Sequence, residues 1–203
     1  PASRNCNSHM KETYLFLAKG FEEVEALTAV DVLRRADIPV KTVSITDSLQ
    51  VEGAHGIPVT ADCLFADTNF DDAEWLILPG GMPGSVNLHE FAPLQQLLLR
   101  QAKAQRGIAA ICAAPALVLC PLGLLQGRKA TCYPGMEDQC AGAEWTGEPV
   151  VADKQFVLGN GPANAMLWAL NIVDQAAGSA KAGEVAAGLL FFPAQNSDLD
   201  FTF

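Results

Sequence analysis

The stretch Ala109–Cys120, AAICAAPALVLC, places a thiol at the joint between an apolar strand-like run and an apolar helix-like run. Two features of such a joint would make Cys112 reactive. Unpaired N–H groups at the start of a helix stabilise a thiolate, lowering its pKa from about 8.5 into the range of roughly 3.5–7.5. The backbone N–H of the next residue, Ala113, points into the same space and can hold an oxyanion. Pro115 suits the first helical turn, where its missing N–H costs nothing. The plain alternative is a small apolar filler between two buried elements. Cys112 alone does not decide between them.

Two further strand exits supply possible partners. Leu78–Gly81, LPGG, follows a buried apolar run, and its glycines let the backbone come close to a ligand with the Gly81 N–H as donor. By itself it could equally be a tight connection. Glu25 stands in the first turn of a helix-like segment with Glu22 and Glu23 close by, where carboxylates ordinarily just satisfy the helix dipole. Mutual repulsion and burial can instead keep one of them protonated near neutral pH. A protonated carboxyl donates a hydrogen bond to a thiolate. The cysteine joint itself resembles the elbow on which hydrolases raise a serine, without that motif's flanking glycines.

The elements that must position these groups read as alternating strands and helices. Thr13–Leu17, Val40–Ile45, Trp75–Gly81 and Gly107–Ile111 are short apolar runs. Phe21–Ala36 and Phe91–Gln105 carry apolar residues at helical spacing, and Pro115–Leu125 reads as the helix after the cysteine. Val51–Ala61 reads as a hairpin or paired edge strands, Lys129–Tyr133 as a strand, and Val150–Gly159 as two strands turning at Asp153-Lys154. Asn164–Ala177 and Ala180–Leu190 close the chain as helices. Strands alternating with helices predict an α/β fold with a mostly parallel sheet covered on both faces. Ligands in such sheets bind outside the carboxyl ends of the strands, where the three exits lie.

Composition sets the limits. The chain has 203 residues, half of them apolar and 18% charged, with a formal charge of −10. That charge argues against nucleic acid and anionic membrane surfaces, both of which bind through Lys and Arg. No apolar run approaches the ~20 residues that span a bilayer. The start lacks the apolar core of a secretory leader, and Pro1–His9 is read as a vector remnant because SHM at residues 8–10 looks like a vector junction. Residues 10–192 are expected to form one domain, with 193–203 a tail of no assigned role. The six cysteines, Cys6, Cys63, Cys112, Cys120, Cys132 and Cys140, are expected to be reduced thiols in a cytoplasm, since no CxxC or leader accompanies them. No metal site is expected: His9, His55 and His89 are not spaced as ligands with a cysteine pair. No cofactor is expected either, because GGMPG lacks the phosphate-loop lysine and no full GxGxxG follows the first strand.

AKGFEEVEAL, LILPGG and AAICAAP, in this order and at these separations, resemble the ThiJ/PfpI family in its DJ-one-like branch, over Thr13 to Leu190. The resemblance implies a flavodoxin-like doubly wound sandwich and a homodimer. It implies Cys112 as the reactive cysteine, Glu25 as its protonated partner, and the amides of Gly81 and Ala113 as oxyanion donors. GNGPANA, with Gly161 and Pro162, matches the family's loop lining the same pocket. One departure stands out. Where the family often has a histidine in a THP-like segment, this chain reads TCYP, with Tyr133 in that place, and no histidine follows Cys112. His55 falls where relatives place a residue, often arginine, that crosses the dimer interface; an exposed hairpin residue is the alternative. His89 reads as a surface residue at a helix start. Cys132 is a possible second thiol able to resolve a sulfenic acid on Cys112.

These readings lead to a cysteine-dependent enzyme of the glyoxalase or deglycase kind, acting on small aldehydes and dicarbonyls or on glycated adducts without glutathione. An oxidative-stress sensor or holdase in which the same cysteine is oxidised, without turnover, is the alternative. A cysteine peptidase or amidotransferase is a remote third, for want of a histidine.

Overall fold

The structure, a computed structural model, describes residues 10–191. The expected vector remnant at 1–9, with Cys6 and His9, and the tail at 193–203 lie outside the described residues. Thr13–Leu17 forms β1, and its side chains alternate between two cores: Leu15 and Leu17 enter one, Tyr14 and Phe16 the other. A strand apolar on both faces must be covered on both, the condition of a central parallel strand. The strands Trp75–Leu78 and Gly107–Ile111 repeat the alternation, with Ile77 and Ala109 on the first side and Leu76 and Ile108 on the second.

In chain order β1 is followed by α1 (Glu23–Arg35), β2 (Val40–Ser44), the antiparallel hairpin β3 (Gln50–Glu52) and β4 (Pro58–Thr60), β5 (Cys63–Leu64) and β6 (Trp75–Leu78). Next come α2 (Gly84–Glu90), α3 (Ala92–Lys103), β7 (Gly107–Ile111), the small pair β8 (Lys129–Ala130) and β9 (Glu144–Trp145), and the hairpin β10 (Val150–Asp153) and β11 (Phe156–Gly159). α4 (Ala165–Ala177) and α5 (Ser179–Gly188) complete the described part. The main sheet has the order β10-β11-β7-β6-β1-β2-β5 and is parallel except for β10. α1 and α4 cover one face; α2 and α3 cover the other. The chain runs outward from β1 to β5 and returns to β6 on the opposite side of β1. That reversal opens a crevice at the carboxyl ends of β1 and β6. No described helix is long and apolar enough to cross a membrane.

Several expectations are corrected. The helix read over Pro115–Leu125 is a wide π-turn, Pro115–Leu119, followed by a tight 3-10 turn, Cys120–Leu122. Pro121 has no N–H to continue a regular helix, and Gly123, at φ 75°, ends the segment. Only Lys129–Ala130 of the strand read to Tyr133 is paired. Cys120 and Cys140 form a disulfide, their Cα atoms 5.9 Å apart. The expectation of reduced thiols therefore fails for this pair; Cys63, Cys112 and Cys132 are free. The two partners are 20 residues apart and meet because both pack into the core on the α3 side, a proximity that local spacing does not encode.

Candidate active site

The three strand exits meet. After β1, Gly20 turns with φ 86° and its carbonyl accepts the Gly84 N–H at 3.1 Å. The Glu22 N–H donates to Gly80 O at 2.9 Å, tying the start of α1 to the loop after β6. Glu22 then caps α1, one carboxylate oxygen accepting the Glu25 N–H at 3.0 Å. This places Glu25 in the first turn with its side chain turned inward, fully buried. The Gly80 N–H donates to Glu25 Oε1 at 2.9 Å. Glu25 Oε2 is buried without a conventional partner, and the carboxyl interacts with the Cys112 thiol.

Cys112 follows β7 directly, and its N–H donates to Gly159 O on the neighbouring strand at 2.9 Å. Its φ is 63°, a left-handed conformation that a residue with a Cβ adopts at a cost. The turn aims Sγ at the backbone N–H groups of Ala113 and Gly81. Gly80 completes the contact, because a Cβ on it would run into Cys112 Cβ, Glu25 Oε1 and Ile111 O. LPGG points to Gly81 as a donor, whereas the role of Gly80 rests on contacts with Cys112 and Glu25 that are distant in sequence; its one local signal is a further glycine between Pro79 and Gly81.

Burial, with a smaller contribution from the Glu22 charge, raises the Glu25 carboxyl to about 7, against the pull of the Gly80 N–H and the Cys112 thiol. That agrees with a carboxyl holding its proton near neutrality. The thiol does not follow the expectation of a lowered pKa. Burial pushes Cys112 up to about 12, the charge of ionised Glu25 adds to this, and the Ala113 and Gly81 N–H groups act in the opposite direction. Moving the proton to Glu25 removes the repelling charge and turns the carboxyl into a donor toward sulfur. The two groups therefore titrate as a pair that shares one proton.

Tyr133 is half-exposed, and its N–H donates to Cys112 O at 2.8 Å. With Asn160, Gly161, Pro162 and Asn164 it lines a cavity of about 360 Å³. Cys132, its neighbour, is buried and does not line this cavity; its thiol faces its neighbour's carbonyl, and burial pushes it up to about 12. His55 is held in its own chain, Nδ1 lying 2.8 Å from Glu23 Oε2. His89 is in the last turn of α2 rather than at a helix start.

The model of the DJ-1/PfpI family matches residues 11–175. The chain belongs to this family. Protein DJ-1 homolog B of Arabidopsis thaliana is 36% identical over 201 residues, covering 98% of this chain but 46% of that protein. The chain thus spans about half the length of that relative. A Pyrococcus abyssi protein named a deglycase is 31% identical over 154 residues, 74% of this chain and 90% of its own length. The solved structure of oxidised DJ-1 from Toxoplasma gondii superposes with a TM-score of 0.85 at 34% identity, covering 89% of this chain and 98% of that one. The flavodoxin-like α/β fold expected from the DJ-one-like motifs is the fold these family members share.

Proposed function

We propose that this DJ-1/PfpI protein is a cysteine-dependent enzyme that converts small dicarbonyls, or the adducts they form on amines and thiols, without glutathione. The observation that carries the reading is the buried Glu25, fixed by the Gly80 N–H and interacting with Cys112 beneath the amides of Gly81 and Ala113. The deglycase name of the Pyrococcus relative supports the substrate class.

The chemistry follows from the shared proton. Cys112 Sγ adds to the aldehyde carbon, the carbonyl π electrons pass to oxygen, and the Gly81 and Ala113 amides hold the developing charge. Glu25 delivers its proton to that oxygen, giving a hemithioacetal. The carboxylate then carries the C1 proton to C2 while the hydroxyl proton passes from the first oxygen to the second. For methylglyoxal the result is a lactoyl thioester on Cys112, which water hydrolyses to lactate and free thiol. Tyr133, in the place of the family histidine, lines the adjoining cavity.

The exposed apolar side chains of Val24, Leu27 and Ile57 support homodimerisation as part of this reading. The free thiols of Cys63, Cys112 and Cys132 support a cytoplasmic location, and the Cys120–Cys140 disulfide argues against it. We treat residues 10–192 as one domain. A second reading, an oxidation sensor, is favoured by Glu25 Oε2, buried without a conventional partner on a carboxyl that interacts with Cys112 and, when protonated, can donate to an oxygen on the oxidised thiol. The oxidised state of the Toxoplasma structure supports it too. Glutathione-free loss of methylglyoxal with appearance of lactate separates the two. Activity lost in both Cys112→Ser and Glu25→Gln establishes the enzyme, and an inactive wild type leaves the sensor.

A further inference from the structure

The turn between β3 and β4 docks over the start of α1. The Ala54 N–H donates to Phe21 O at 2.7 Å and the Gly20 N–H to Glu52 O at 2.8 Å. A Cβ at Gly53 would collide with the Glu23 carboxylate, so this glycine lets the carboxylate lie directly against the turn. Three side chains converge there. Glu22 and Glu23 are more than nine-tenths buried, while the His55 ring remains exposed to solvent.

Each carboxylate has one oxygen engaged by backbone and one turned toward His55. Glu22 Oε2 accepts the Glu25 N–H at 3.0 Å and Glu23 Oε1 accepts the His55 N–H at 2.7 Å. The other two oxygens both face His55 Nδ1, Glu22 Oε1 at 3.4 Å and Glu23 Oε2 at 2.8 Å. A single Nδ1 proton serves only the nearer oxygen. Among the described residues these two buried carboxylates have no lysine or arginine partner, and two buried charges against one imidazole leave negative charge in excess.

We propose that Glu22 Oε1, Glu23 Oε2 and His55 Nδ1 form a binding site for a divalent transition ion of the zinc or cobalt class. One ligand atom from each residue lies within 4.8 Å of the others. Bonds of about 2.1 Å to one ion place neighbouring ligand atoms roughly 3.0–3.4 Å apart, a range that both His55 Nδ1 to oxygen distances, 2.8 and 3.4 Å, already approach. One imidazole with two carboxylates suits a borderline ion, and the backbone bonds to the outer oxygens orient the ligands as supporting contacts do in metal sites. The positive end of the α1 dipole opposes a cation, a small term beside two carboxylate bonds. Sequence reading searched for histidine paired with cysteine, and so passed over two adjacent glutamates joined to His55 by a hairpin. An ion there would also offset the Glu22 charge that bears on Glu25.

The test is titration of the chelator-stripped, dialysed full chain with cobalt chloride, followed by visible absorption, and with zinc chloride, followed by calorimetry. One equivalent bound, without a sulfur-to-cobalt charge-transfer band, is expected. His55→Ala, at an exposed side chain, should weaken binding at least about tenfold. Cys112→Ser should leave it unchanged, which separates this site from the fate of the thiol chemistry. No stoichiometric binding, a charge-transfer band, or undiminished affinity in His55→Ala overturns the proposal.

Discussion

The Gly80 N–H donates to Glu25 Oε1 at 2.9 Å across 55 residues of sequence, and the same glycine faces Cys112 Cβ with nothing but hydrogen. One residue thereby sets both the carboxyl's position and the distance at which the thiol meets it.

Gly80→Ala is therefore expected to damage the site more than the fold. The new Cβ meets backbone at Ile111 O as well as Cys112 and Glu25, so neighbours have to shift. Overpacking of this kind costs about 1–3 kcal/mol. Displacing two reacting groups by a fraction of an ångström should lower turnover of methylglyoxal about a hundredfold. Thermal unfolding and lactate production on one preparation check both figures.

Glu25 makes stability depend on pH in a definite direction. Its carboxyl is raised from 4.5 to about 7, so within that window the native state holds a proton that the unfolded chain has released. Stability then falls as pH rises through the window. Glu25→Gln keeps the acceptor for the Gly80 N–H and removes the charge. It should unfold later than wild type at about pH 8, by roughly 1–3 kcal/mol, with the gap closing below about pH 5. Unfolding curves of both proteins over that range provide the check.

The Cys120–Cys140 disulfide closes a loop of 20 residues that includes Cys132 and Tyr133. A cross-link of that span contributes about 3 kcal/mol by restricting the unfolded chain. Reduction, or the double substitution to serine, should lower the melting temperature accordingly. Peptide mapping without reductant should recover Cys120 joined to Cys140.

Tyr133→His restores the residue type that the family often carries at this place. Tyr133 is half-exposed and its backbone N–H, which bonds Cys112 O, is untouched by the change. The fold should tolerate the substitution. A positioned acid–base group is worth about a hundredfold or more, so lactate formation should increase at least about tenfold. An unchanged rate would mean that proton transfer from this position does not limit turnover.

The central strands were legible because burial on both faces left no polar alternation in Thr13–Leu17, Trp75–Leu78 or Gly107–Ile111. α1 was equally readable, its acidic first turn and Arg34-Arg35 agreeing with its dipole. Cys112, Glu25 and Gly81 could be nominated because each stands at a strand exit. What escaped depends on contact at a distance: the role of Gly80, the Cys120–Cys140 bond, and His55 seated on Glu23 from 32 residues away. The regular helix expected after Cys112 failed for a local reason, Pro121, whose effect the apolar pattern around it concealed.

The left-handed backbone at Cys112 has a consequence for how this chain can change over time. Holding a residue with a Cβ at φ 63° costs about 1–2 kcal/mol that glycine would not incur. A lineage freed from the chemistry would gain stability by drifting to glycine or asparagine at this position. Cysteine at this position is therefore a residue that the backbone itself does not favour.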